Sequence, residues 1–234
     1  MAHRGNRTLF PENTLAAFSQ AFEDGADILE TDLHLSADNH FICIHDASVD
    51  RTTNGSGEVK SLKLADIKSL KTLDSKSRVT PFKIPTLEEA SAALPASTAL
   101  ALELKTDRFL EKETCQRLGA LLKATKIFDR TFALSFSLPR LLSLQDAFPK
   151  IPIGWISMTR FLPDKPVDLI GAFWPIFYLN PWYVNTAHKN GLFVCPLDPT
   201  PDSRIRFYLR KKVDAVLSDD PGKTRHLLDS LIAG

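Results

Sequence analysis

Residues 26–35 read ADILETDLHL and residues 99–105 read ALALELK, and how these two stretches alternate decides the fold. Side chains on a β-strand alternate between faces, so Glu30 and Asp32 share one face, as do Glu103 and Lys105. Leu29, Leu33, Leu102 and Leu104 point to the opposite, apolar face. Three carboxylates turned inward repel one another and lose hydration, so they persist only beside cations, protons or a bound metal ion. The pattern reads as buried strands carrying a metal site suited to phosphate chemistry.

Outward from these strands, Leu15, Phe18 and Phe22 recur at helical spacing between the turn residues 11–14 and Gly25, with Asn13 expected as the cap. Residues 41–44 form a short apolar strand that ends on His45. From Asp46 to Pro85 the chain is rich in Ser, Thr, Lys and Gly, with turn signals at Asn54-Gly55 and Ser56-Gly57, and is expected to be an inserted lid. Lys60, Lys63, Lys68 and Lys71 read as its solvated face.

Beyond residue 86 strands and helices alternate. Strands are expected at 99–104, 131–136, 153–156, 173–179, 192–195 and 215–217, with helices opening near Thr86, Asp107, Leu138, Asp164, Pro181, Pro201 and Asp220. With strands near His3 and Glu30 the count reaches eight, which predicts a single-domain (β/α)8 TIM barrel over 1–234 with an insertion at about 46–85 after strand 2. In that fold the chemistry sits at the C-terminal ends of the strands. His3, Arg4, Glu30, Asp32, Glu103 and Lys105 all fall there, and His45 closes the small extra strand beside them.

A chain of 234 residues that is 44% hydrophobic can bury a large core. Its net charge of +1 offers no global field for nucleic acid or an anionic membrane, so any anion is bound locally. Cys43, Cys115 and Cys195 are odd in number and widely spaced, which reads as buried thiols in a reducing compartment. The longest apolar run, 169–179, is too short to cross a bilayer and contains Pro175, so a soluble cytoplasmic protein without stable membrane insertion is expected. The oligomeric state does not follow from the sequence.

The ordered set HRGN (3–6), PENTLAAF (11–18), ADILETDLHLSADNHFICIHD (26–46), DRTTNGSGEV (50–59), IPTLEEA (84–90), ALELK (101–105), LSFS (134–137) and DAVLSDDP (214–221) resembles the glycerophosphodiester phosphodiesterase family over nearly the whole chain. The resemblance implies a (β/α)8 barrel with a lid after the second strand. It implies metal ligands at Glu30, Asp32 and Glu103, His3 and His45 as general base and acid, and Arg4 and Lys105 on the phosphate. The all-oxygen ligand set suits Mg²⁺ or Ca²⁺. The implied reaction is hydrolysis of a small glycerophosphodiester to glycerol 3-phosphate and an alcohol. An alternative is a phospholipase D-like lyase that forms a cyclic phosphate from lysophospholipids, whose secreted members carry signal peptides and disulfides. A barrel that binds a phosphate ligand without turnover is a third reading, which the intact acids and histidines oppose.

Two departures from the family pattern stand out. Only Met1 and Ala2 precede His3, so a clipped first strand is expected, and Cys195-Pro196-Leu197-Asp198 replaces a turn that in the family carries a substrate-facing tryptophan. Ser218-Asp219 in place of Thr-Asp is a mild change. Among the remaining residues, Glu12 is favourable beside a helix N-terminus, Asp46 suits a turn or the orientation of His45, and His34 continues the inward face of Glu30 and Asp32. His40, His188 and His226 show no partner pattern. Phe136, Trp155 and Tyr178 fall near expected strand ends, where core packing is their commoner use, and Trp182 and Tyr183 are placed at the rim.

Overall fold

The computed structural model describes residues 1–164 and 166–233. Its strands are β1 (Ala2–His3), β2 (Ile28–Leu35), β3 (Phe41–Cys43), β4 (Ala99–Leu104), β5 (Thr131–Ser135), β6 (Ile153–Ser157), β7 (Leu169–Ala172) and β8 (Phe193–Val194). All but β3 run parallel in the order β1-β2-β4-β5-β6-β7-β8, and β3 pairs antiparallel with the end of β2. The result is an α/β fold on a curled parallel sheet. The segment 214–218 hydrogen-bonds to both edges: Asp214 N donates to Val194 O at 2.9 Å, Ser218 N to Met1 O at 3.0 Å, and His3 N to Ser218 O at 2.9 Å.

The helices are α1 (Leu15–Glu23), α2 (Leu64–Ser69), α3 (Leu87–Ala93), α4 (Lys112–Ala124), α5 (Leu138–Ala147), α6 (Ile176–Leu179), α7 (Tyr183–Lys189), α8 (Ile205–Lys211) and α9 (Pro221–Ile232). Their starts follow local chemistry. Thr86 and Glu89 form a reciprocal capping box on α3, and Asp220 caps α9 with Pro221 in its first turn. The outward leucines Leu29, Leu33, Leu102 and Leu104 are buried in the main core with Phe18 of α1, Leu87 of α3 and Leu118 of α4. Ala101, Leu134 and Ile156 form a smaller cluster on the side of the sheet that carries the acids.

Four expectations need correction. The strand placed at 173–179 is instead β7 at Leu169–Ala172, and Ile176–Leu179 is helical because Pro175 has no N–H to give a sheet and fixes its own φ near the helical value. No helix opens at Asp164 among the described residues, and Lys165 lies outside them. Residues 215–217 form no strand, and the β-bridge beside them joins Ser218 to Ala2. The cap of α1 is Thr14, whose side chain accepts from Ala17 N, while Asn13 is turned elsewhere.

Residues 46–85 hold a 3-10 turn, α2 and isolated bridges such as Ser48 with Glu58 and Thr53 with Thr72. Val49, Val59 and Ile67 bury themselves against Ile42, Ile44 and Ile84, so the segment has its own apolar cluster, seated beside β3. Of its lysines, Lys68 departs from a purely solvated role, with Nζ 2.7 Å from Glu89.

Candidate active site

The parallel register sets His3 opposite Glu30 and Asp32 opposite Glu103. Glu30, Asp32 and Glu103 are all buried, and one oxygen of each lies within 4.8 Å of the others. Asp32 Oδ2 accepts from Asn13 Nδ2 at 2.9 Å and lies 3.1 Å from Arg4 Nε. Lys105 Nζ donates to Glu103 Oε1 at 2.9 Å and stands 3.7 Å from Asp32 Oδ1. Glu30 Oε2 accepts from the backbone N of Arg4 at 3.0 Å.

Burial, with Asp32 and Glu103 as like charges, raises Glu30 well above the usual carboxylate range. Burial and Asp32 likewise raise Glu103 against the pull of Lys105. Burial would push Asp32 up too, but Arg4, Lys105 and His45 outweigh it and hold Asp32 below its ordinary value. Three buried carboxylates thus share Lys105 with an arginine that is also engaged elsewhere, and the set is short of positive charge. Asp32 Oδ1, buried and without a hydrogen-bond partner, is the atom left over. An oxygen-only donor set with an orphaned, buried carboxylate oxygen fits a hard divalent cation.

The backbone of HRGN aims these groups. Arg4 sits at φ 58° and Gly5 at φ 81°, and a Cβ on Gly5 would stand 2.6 Å from the carbonyl of Ala17, so this tight turn against α1 requires glycine. Asn13, at φ 54°, donates from its backbone N to Arg4 O at 3.0 Å and accepts from the Thr31 hydroxyl at 2.7 Å. It is a brace between the arginine turn and β2.

Each imidazole is held by an aspartate. His3 Nδ1 lies 2.6 Å from Asp219 Oδ1, and His45 Nδ1 lies 2.6 Å from Asp46 Oδ1. An ionised carboxylate only accepts, so beside one each Nδ1 carries the hydrogen, and Nε2 of the neutral ring carries none. Burial lowers the pKa of His3 against its hydrogen bond to Asp219, and lowers that of His45 against Asp32 and Asp46. Both rings are therefore biased toward the neutral form.

Asp219, Glu12, Arg7 and Arg51 are neighbours that sequence reasoning did not assign to the site. Glu12 accepts from Arg4 Nη1 at 3.0 Å and from both terminal nitrogens of Arg51, while Arg7 Nη2 lies 3.3 Å away. Burial would push Glu12 up, but Arg51, Arg4 and Arg7 bring it down to about 2. Asp219 and Arg51 do lie within the DAVLSDDP and DRTTNGSGEV motifs, which is the one signal that points to them.

Other residues singled out in the sequence sit elsewhere. His34 is buried with Nε2 3.1 Å from His45 O, so it supports the loop carrying His45. His188 Nε2 pairs with Asp214 at 2.9 Å. Phe136 is half-exposed, and its carbonyl accepts from Trp155 Nε1 at 3.2 Å. Tyr178 lies on α6 against Phe207 of α8, their ring centroids 4.2 Å apart, and Tyr183 is buried in the core while Trp182 stays exposed. The three cysteines are buried free thiols. A cavity of about 40 Å³ beneath His3, Glu30 and Glu103 is too small for an organic diester, which leaves the open strand ends as the place for one.

Carboxylates short of a cation, beside cations able to take an anion and under two oriented imidazoles, narrow the class to enzymes acting on phosphate esters. Comparison with known proteins carries this further. Residues 3–223 match the Glycerophosphoryl diester phosphodiesterase family, and the chain belongs to that family of phosphoric diester hydrolases. A glycerophosphodiester phosphodiesterase of Caldanaerobacter subterraneus is 31% identical over 227 residues, covering 94% of this chain and 93% of the relative. One from Bacillus subtilis is 32% identical over 245 residues, covering 94% and 83%. Among solved structures, an Oleispira antarctica phosphodiesterase in complex with the product sn-glycerol-3-phosphate superposes with a TM-score of 0.85 at 27% identity, over 97% of this chain and 95% of that one.

Proposed function

We propose that the protein hydrolyses small glycerophosphodiesters to glycerol 3-phosphate and an alcohol, with a divalent cation, Mg²⁺ or Ca²⁺, held by Glu30, Asp32 and Glu103. The observation that carries this reading is the orphaned, buried Asp32 Oδ1 within the acid trio, flanked by two imidazoles with free Nε2 atoms. A bound cation would supply positive charge to the nonbridging phosphate oxygens as charge builds there.

Arg4 and Lys105, both mostly buried, hold the diester phosphate and strengthen their grip as its oxygens gain charge in the transition state. His3 Nε2, bare in the neutral ring, removes a proton from the attacking oxygen, and His45, acting in its doubly protonated form, delivers the proton on Nε2 to the departing alkoxide. Asp219 and Asp46 each hold Nδ1–H of their ring, so that Nε2 faces the exchange, bare on His3 and protonated on His45. The curled sheet is read as a (β/α)8 barrel whose eighth stave is segment 214–218, and residues 46–85 as a lid over the strand ends. Family membership and the sn-glycerol-3-phosphate bound to the Oleispira protein support the substrate class. Among the described residues no helix is long and apolar enough to cross a membrane.

The test is release of glycerol 3-phosphate from glycerophosphodiesters by the purified protein, with EDTA and with Mg²⁺ or Ca²⁺ restored. Release that stops with EDTA and returns with a cation is expected. Release unaffected by EDTA would defeat the metal role, and a cyclic phosphate as the final product would favour a lyase.

A further inference from the structure

We infer that Glu12 is a positioning residue that fixes both imidazoles at once, by closing a chain of charge pairs from His45 to His3. On one side Glu12 binds Arg51 through Nη1 at 3.1 Å and Nη2 at 2.8 Å. Arg51 Nε then donates to Asp46 Oδ2 at 2.5 Å, and Asp46 Oδ1 holds His45 Nδ1 at 2.6 Å. On the other side Arg7 lies 3.3 Å from Glu12 and 3.7 Å from Asp219, which holds His3 Nδ1 at 2.6 Å. Arg4 also donates to Glu12, so three guanidiniums converge on one carboxylate that is only 9% exposed.

The chain matters most on the His45 side. The side chains of His45 and Asp46 are 32% and 30% exposed, so packing alone does not fix their rotamers, and Asp46 is merely the next residue along. What keeps Asp46 turned onto the ring is Arg51, at 48% exposure itself free to swing without its two bonds to Glu12. Glu12 lies 39 positions from Arg51, in the turn before α1, and so ties the 46–85 segment to the arginine turn. A single fork–fork contact converts three half-exposed side chains into one defined arrangement.

This inference rests on the proposed hydrolysis, with the histidines acting through Nε2. The variants are Glu12→Gln and, should that fail to fold, Arg51→Gln at the more exposed partner. Each is measured for kcat and KM on a glycerophosphodiester, and for the ¹⁵N shifts of His45, which report its tautomer. A misaimed catalytic group costs on the order of 10²-fold, so kcat is expected to fall by about that factor. Arg4 keeps its pair with Asp32 at 3.1 Å and Lys105 its pair with Glu103 at 2.9 Å, so phosphate binding survives the loss of the Glu12 contact and KM should stay within about twofold of wild type. The His45 ring should pass from a single Nδ1–H form to a mixture. An unchanged kcat, or a lowered one with His45 still wholly in the Nδ1–H form, overturns the positioning role. Wild-type protein without glycerol 3-phosphate release would instead sink the hydrolase reading, and the nitrogen shifts would still decide whether Glu12 orients the ring.

Discussion

The acid trio makes the proposed cation testable without any substrate. At the 4.8 Å limit of their oxygen separations and an effective dielectric near 20, each ionised carboxylate pair repels by about 3.5 kcal/mol. Lys105 and Arg4 offset part of this, and the remainder shows as a proton kept on Glu30 above its ordinary range. Now strip the protein with EDTA and restore Mg²⁺ or Ca²⁺ at about 100 times its Kd, where binding to the folded state alone adds roughly 2.7 kcal/mol. For a chain of this size that corresponds to a rise in melting temperature of about 5–10 °C.

The sign of the pH dependence follows. In the stripped protein the folded Glu30 holds a proton that the unfolded chain, with a pKa near 4.5, has already released, so stability falls as pH rises from 4.5 toward the raised value. A cation relieves that loss, so its stabilisation should be larger at about pH 8 than at about pH 5.5. Calorimetry of wild type and Asp32→Asn across this range is the assay. The reasoning is refuted if saturating cation leaves wild type unmoved, if its effect shrinks toward high pH, or if Asp32→Asn responds as wild type does.

Replacing His3 or His45 with alanine should lower kcat by about 10²-fold to 10⁴-fold with little change in KM, and steady-state kinetics retaining near-full turnover would remove that residue from the proton transfers. Glu12, held at about 2 in the fold against 4.5 unfolded, should contribute up to about 3 kcal/mol that is fully present above pH 4.5 and lost as pH falls toward 2. Acid unfolding followed by circular dichroism should therefore be shallower in Glu12→Gln than in wild type over that interval.

The legible parts of the protein are those set by short-range periodicity. A period of two put Glu30, Asp32 and Glu103 on one face with leucines behind them, and the burial of all seven side chains bears this out. The same rule failed at 173–179, where Phe173, Trp174, Ile176, Phe177 and Tyr178 carry strong strand preference and yet the strand ends at Ala172. Pro175 there forbids a ladder bond, and a single proline outweighed five favourable side chains because the hydrogen bond it removes cannot be supplied from outside. Residues 215–217 failed for the opposite reason: they look like a strand, but the closure they make consists of a few backbone bonds on either side of one bridge.

The charge pairs around the histidines were the least legible, and the cause is distance along the chain. Asp219 reaches His3 across 216 positions, and Glu12 reaches Arg51 across 39. No local pattern encodes such a pair. Each partner, taken alone, has a sufficient local reason to exist: Glu12 favours the start of α1, Arg51 suits a polar segment, and Asp219 precedes the cap of α9. Only when the sheet curls and brings 214–218 beside β1 does Asp219 meet His3, and only when 46–85 settles against β3 does Arg51 meet Glu12. The acids of the site are thus written in the strands, whereas the orientation of its imidazoles is a product of the completed fold. Substitutions at Glu30, Asp32 or Glu103 should therefore act on the site directly, while loosening the packing of 46–85 should reach His45 through Arg51 and leave the acid trio in place.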